Sequence, residues 1–159
     1  MGTGLIETTT RGYRRGLPVE RAGLGMLTSC AVSITCARVI NYVRERRRPA
    51  PRLRSWVRRA QRLPRRERLR IHHFVPGVAL GFLSGAEAII QREDGRELWL
   101  SLPFGTGVGL TLDEIAVMTE RQNPYWRSER LAIAQAASAA LGAFAVAVRL
   151  HHRGRGSAE

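Results

Sequence analysis

The chain has 159 residues, enough for one compact domain or a small helical bundle, and its 26 basic residues, all arginine, stand against 13 acids for a net charge of +13. Averaged over the chain, that charge and a hydrophobic share of 44% suggest a basic soluble protein that binds nucleic acid. The distribution argues otherwise: fourteen of the arginines lie between Arg38 and Arg70, long stretches elsewhere carry almost no charge, and the two cysteines, Cys30 and Cys36, form neither a CxxC nor a Cys/His metal spacing.

In chain order, four segments approach the roughly 20 apolar residues that a helix needs to cross a bilayer core. The first runs over 22–43, clean as far as Ala37 and then continuing through Arg38, whose long stem lets its charge snorkel to the interface. Arg14-Arg15 and Leu27-Thr28-Ser29-Cys30 fit a cleaved signal poorly, so this segment is expected to be an uncleaved helix. The second span covers 71–90 with Glu87 as its only formal charge, the third 98–118 with Asp113 and Glu114, and the fourth 131–150 with Arg149 near its end. These segments are apolar all round, whereas a surface helix of a soluble protein keeps a polar face. Trp99, Tyr125 and Trp126 fall at segment ends, where an aromatic belt belongs. The expected fold is therefore all-α: a single integral membrane domain over 1–159, built as a four-helix transmembrane bundle.

Between the first two spans, residues 52–63 read as a basic helix bracketed by Pro51 and Pro64. Leu53, Trp56, Val57, Ala60 and Leu63 recur at helical spacing, and Arg52, Arg54, Arg58, Arg59 and Arg62 fill the other faces. Such a helix lies in the headgroup plane with its arginines toward anionic lipid, each worth about 1 kcal/mol near an anionic surface. It serves as a topology anchor or as a lipid headgroup site; it lacks the spaced aromatic platforms of single-strand nucleic-acid binders. Arginine counts put the 38–70 connection on the cytoplasmic side of the cell membrane.

The most informative pattern lies in the second and third spans. Gly77, Gly81 and Gly85 recur every four residues, as do Gly105 and Gly109 followed by Asp113. Small residues at this spacing let membrane helices approach closely. A symmetric hairpin centred near Gly95 pairs Gly85 with Gly105, Gly81 with Gly109 and Gly77 with Asp113, and it brings His73 within one turn of Asp113. Ionisable groups inside a membrane are costly and default to function. His73, Asp113 and Glu114 are thus the candidate catalytic residues, and His72, His73, Asp113 and Glu114 the candidate ligands of a divalent, zinc-like metal. A proton-relay pair and a purely structural His–Asp bond are the alternatives. His151-His152 is expected to be a solvated tail at the opposite face, and no other cofactor is expected.

The elements His72-His73 with Gly77, Phe104-Gly105 with Gly107, Leu112-Asp113-Glu114 and Tyr125-Trp126 together resemble a family of small, largely actinobacterial integral membrane proteins. The resemblance covers about 71–130 and implies membrane location and a shared site rather than a reaction. Gln122-Asn123-Pro124 stands where that family carries acids before its Tyr-Trp, which removes a carboxylate ligand from this loop. The functional expectation is a multi-pass membrane protein with an intramembrane His/acid site at its arginine-rich face. The alternative is a non-enzymatic scaffold or accessory subunit packed through glycine stripes. Expected partners are the membrane, anionic lipids, and other membrane proteins or a second copy; nucleic acid is disfavoured.

Overall fold

A computed structural model describes residues 2–46, 73–90, 96–118 and 124–156. Among them are five helices and no strand: α1 (Gly2–Arg15), α2 (Pro18–Arg46), α3 (Phe74–Ile90), α4 (Glu97–Met118) and α5 (Pro124–Arg155). The expected basic helix 52–63, with Arg52, Arg54, Arg58, Arg59 and Arg62, lies outside the described residues, as does His72. Each of the four expected spans coincides with a helix, and α1 is an additional one. Among the described residues, two helices are long and apolar enough to cross a membrane, Pro18–Val43 and Arg130–Arg155. α3 is apolar but has 17 residues, about 25 Å of helix. α4 is diluted by Asp113, Glu114 and its small polar residues.

Local signals explain the boundaries. The chain leaves α1 at Gly16, turns through Leu17 and enters α2 at Pro18, a residue preset for the first helical position. Glu20 then reaches back to accept the Leu17 N–H at 2.9 Å, as the acidic residue of a capping box does. In α3, Pro76 lies in the first turn, where its missing N–H leaves no helical bond unmade. Pro103 sits inside α4, which continues through it.

α2, α4 and α5 pack against one another around a shared core, α3 packs on the outer face of α4, and α1 lies against the end of α5. α4 runs antiparallel to α3 and parallel to α2, while α2 runs antiparallel to α5. The core is thin: Cys30, Ile34, Ala132 and Ala139, flanked by Ala31, Val108, Leu112 and Ala136. Cys30 is buried and Cys36 exposed, and both are free thiols. Large apolar side chains point outward instead, with Phe82, Ile89, Ile90 and Trp99 each at least three-quarters exposed.

The two glycine stripes do not face each other as expected from a symmetric hairpin. Gly105 and Gly109 face α2, where a Cβ would strike Met26 O and Ser29 Oγ, or Ser33 Oγ and Cys30 O. Gly107 is the residue that faces α3, against Gly81 N and Gly77 O. Residues two apart on a helix point about 200° from each other, so Gly107 opens the side of α4 opposite to Gly105 and Gly109. Gly77 consequently lies opposite Gly107 and Thr111 rather than Asp113, and Gly85 lies against the Phe104 ring. α4 is narrow on two opposite faces because two helices press on it.

This packing separates the glycines by consequence. Gly109→Leu drives a side chain into the Cys30 carbonyl, a backbone atom that cannot swing away, and should cost on the order of 3 kcal/mol. Nothing lies within 4 Å of a Cβ on Gly81, so Gly81→Ala should be tolerated. Thermal melts in detergent should show a loss of about 10 °C for the first variant and no loss for the second.

Candidate functional site

The site is an outgrowth of the α2–α4 seam. On α4, Glu97, Ser101, Gly105, Gly109 and Asp113 follow one another at intervals of four and face α2. On α2, Arg21, Gly25, Ser29 and Ser33 do the same toward α4, with Arg38 beyond. Ser29 and Ser33 donate their hydroxyls to Met26 O (3.1 Å) and Cys30 O (3.0 Å) within their own helix, and Ser101 donates to Leu98 O (2.9 Å). Their polarity is satisfied locally, so across the seam they act as small residues. Charge is confined to the two ends: Arg21 Nη2 meets Glu97 Oε1 at 3.3 Å, and Arg38 Nε donates to Asp113 Oδ1 at 2.5 Å. The two clasps are separated by about 24 Å of helix, slightly less than a bilayer core of about 30 Å.

Asp113 is 1% exposed. Burying an isolated carboxylate at that level is prohibitive, and the Arg38 guanidinium supplies the compensating charge. It also donates from Nη2 to the backbone carbonyl of Asp113 at 3.3 Å, so one arginine engages the residue twice. Arg38 therefore turns inward instead of snorkelling. The reason lies in the seam: Asp113 is the next step of four after Gly109, which aims it at α2 and not at α3. His73, immediately before α3, is at the same end of the bundle and half-buried, and Glu114 beside Asp113 is also buried. The structure thus gathers His73, Asp113 and Glu114 at one end and makes Arg38 the hydrogen-bonding partner of Asp113. Among the described residues no three of His, Cys, Asp and Glu come together as a group that could hold a metal ion.

A second cluster closes the opposite end. Glu20, 6% exposed, accepts Arg149 Nε at 2.9 Å and Arg153 Nη2 at 3.1 Å in addition to the Leu17 N–H. Arg149 and Arg153 are one turn apart on α5, so a single carboxylate ties the α1–α2 turn to the end of that helix. Beside it, Thr9 Oγ1 lies 3.1 Å from His151 Nδ1. A Cβ on Gly12 or Gly154 would collide with the facing backbone, of Leu150 and Thr8 respectively. His151 is accordingly packed against α1 and is not the solvated tail expected from the sequence. Glu20 was not singled out from the sequence, although its place three residues after Leu17, behind Pro18, is a capping signal that could have found it.

No family model, no curated protein and no solved structure matches the chain.

The Arg38–Asp113 pair admits a double-mutant test. Asp113→Asn leaves Arg38 facing a neutral group and Arg38→Met strands the carboxylate, so each single change should cost about 3–5 kcal/mol. Arg38→Met combined with Asp113→Leu removes both charges and should cost less than the two single changes added together, with a coupling of about 1–3 kcal/mol. Unfolding midpoints of the four proteins in one detergent check this.

Proposed function

We propose that the chain is a four-span integral membrane protein acting as a non-enzymatic scaffold or accessory subunit, with spans over 22–43, 71–90, 98–118 and 131–150. The observation that carries the reading is the α2–α4 seam, with small residues throughout and an ion pair at each end. Its acids and arginines are spent on holding helices together. Helices in lipid gain little from burying large apolar groups against each other, so close backbone approach and paired polar groups take over. The exterior supports the same reading: Phe82, Leu83, Leu141 and Phe144 are exposed while Ser29, Ser33, Ser101, Asp113 and Glu114 are buried. A water-soluble protein of this size rarely leaves large apolar patches uncovered. With the arginine-rich 38–70 connection in the cytoplasm, the Arg38–Asp113 clasp lies at the cytoplasmic edge and the Glu20 cluster at the other.

A second reading keeps His73, Asp113 and Glu114 as an intramembrane proton or divalent-metal site, with His72 as a further ligand. What favours it is a second buried carboxylate, Glu114, beside Asp113 at the end where α3 begins after His73. Charged groups at such depth are costly, and two neighbouring carboxylates are more than a simple lock requires.

Two measurements separate the readings. The wild type should remain in the pellet when membranes are washed with alkaline carbonate; release into the supernatant defeats the membrane assignment. Elemental analysis of detergent-purified protein should then find no stoichiometric metal if the scaffold reading holds, and Asp113→Asn should lower the melting temperature. A near-stoichiometric metal, lost in both His73→Ala and Asp113→Asn while the fold is kept, establishes the second reading instead.

A further inference from the structure

We infer that Arg15 of α1 and Arg149 of α5 hold between them the phosphate of an anionic phospholipid; this rests on the membrane reading above. The backbone contact of the two helices brings these arginines together. Gly12 packs against Leu150 and Gly154, and Gly154 against Thr8, so α1 and α5 run antiparallel at close range. A step forward along α1 is a step back along α5, which puts Arg15 level with Arg149 and Arg11 level with Arg153. Thr9 and His151 occupy one side of the contact, with Oγ1 and Nδ1 3.1 Å apart. Two residues turn a helix by about 200°. Arg11, two residues past Thr9, and Arg149 and Arg153, two residues either side of His151, therefore lie on the other side, and Arg15 continues the face of Arg11.

Charge on that side is unbalanced toward positive. Glu7 pairs with Arg11, and one carboxylate, Glu20, is shared by Arg149 and Arg153. Arg15 is exposed and has no partner among the described residues. Glu20 engages Arg149 through Nε, and the arginine side chain stays 67% exposed, so its terminal nitrogens remain open. A guanidinium presents its N–H donors in a planar fork, and two such forks at one level suit a phosphate, whose oxygens accept from both. The level selects the source of that phosphate. Arg149 stands in the last turn of the apolar segment 131–150, and Pro18 opens α2 at the same end. In the membrane reading this is where hydrocarbon gives way to headgroups. Arg14 is also exposed and without a partner among the described residues, but it is two residues past Gly12 and so turned away from α5. The arginines of 52–63 are a separate group, following the opposite end of α2.

The test is native mass spectrometry of the full-length protein, purified in detergent and offered phosphatidylglycerol or phosphatidylcholine. The wild type should retain phosphatidylglycerol in preference. Arg15→Gln should weaken that retention about tenfold, as expected for one lost charge-assisted hydrogen bond. Arg149→Lys keeps a charge for Glu20 but not the second fork, and should weaken retention to a similar degree. Arg14→Gln removes the same charge from the same turn and should retain the lipid as the wild type does. Equal retention in wild type and Arg15→Gln, or equal loss in Arg14→Gln and Arg15→Gln, overturns the site while leaving the membrane reading intact. Melting curves at constant ionic strength check the source. Stabilisation of the wild type by inorganic phosphate, lost in Arg15→Gln and unaccompanied by a preference for phosphatidylglycerol, assigns the two arginines to a water-soluble phosphate and overturns the headgroup. Failure of the wild type to stay in carbonate-washed membranes overturns both this site and the membrane reading.

Discussion

The close approach of α2 to α4 is the constraint from which the rest of the architecture follows. Gly105 and Gly109 leave no room for a side chain between α4 and the carbonyls of Met26 and Cys30. Two helices this near exclude water and lipid along their shared line, so whatever occupies the next positions of the same stripe is buried too. Asp113 is such a position. Its burial follows from the glycines before it, and its charge requires Arg38 because the seam offers it no solvent. Glu97 and Arg21 repeat the arrangement at the other end.

α4 bears a second contact of the same kind on its opposite side. Gly107 accepts α3 through Gly77 and Gly81, so the Phe104–Gly109 run narrows the helix in two directions at once. This places α4 between α2 and α3 and leaves α3 on the outside, with grooves on both flanks of the α3–α4 contact. The edge position of α3 is therefore what leaves grooves between the described helices.

The distribution of polarity is the feature that supports the membrane reading. Ser29, Ser33, Ser101, Asp113 and Glu114 are inside, and Phe82, Leu83, Ile89, Ile90 and Trp99 are outside, although Ile34 and Leu150 remain fully buried. In the proposed membrane setting the outward apolar residues would cost little, and the inward polar ones would hold the helices in place through hydrogen bonds and ion pairs. Glu20 shows how far this goes. It caps α2, fixes the turn from α1, and binds Arg149 and Arg153, coupling three helices through one carboxylate.

Much of this was legible in the residues themselves. Segment length and hydropathy locate α2 to α5, and repeats of four single out Gly77, Gly81, Gly85, Gly105, Gly109 and Asp113, because helical periodicity is a local property of the chain. α1 escapes such reading, being polar and too short to span; its docking depends on Gly12 and Gly154 fitting each other's backbones. Periodicity also says which residues share a face without saying what that face meets. Only the tertiary structure assigns the Gly105–Asp113 stripe to α2, gives Gly107 to α3, and makes Arg38 the partner of Asp113. The reason is physical. A stripe of small residues accepts any helix that comes close, and the choice between two neighbours is made by side chains 75 residues apart in sequence that have to meet.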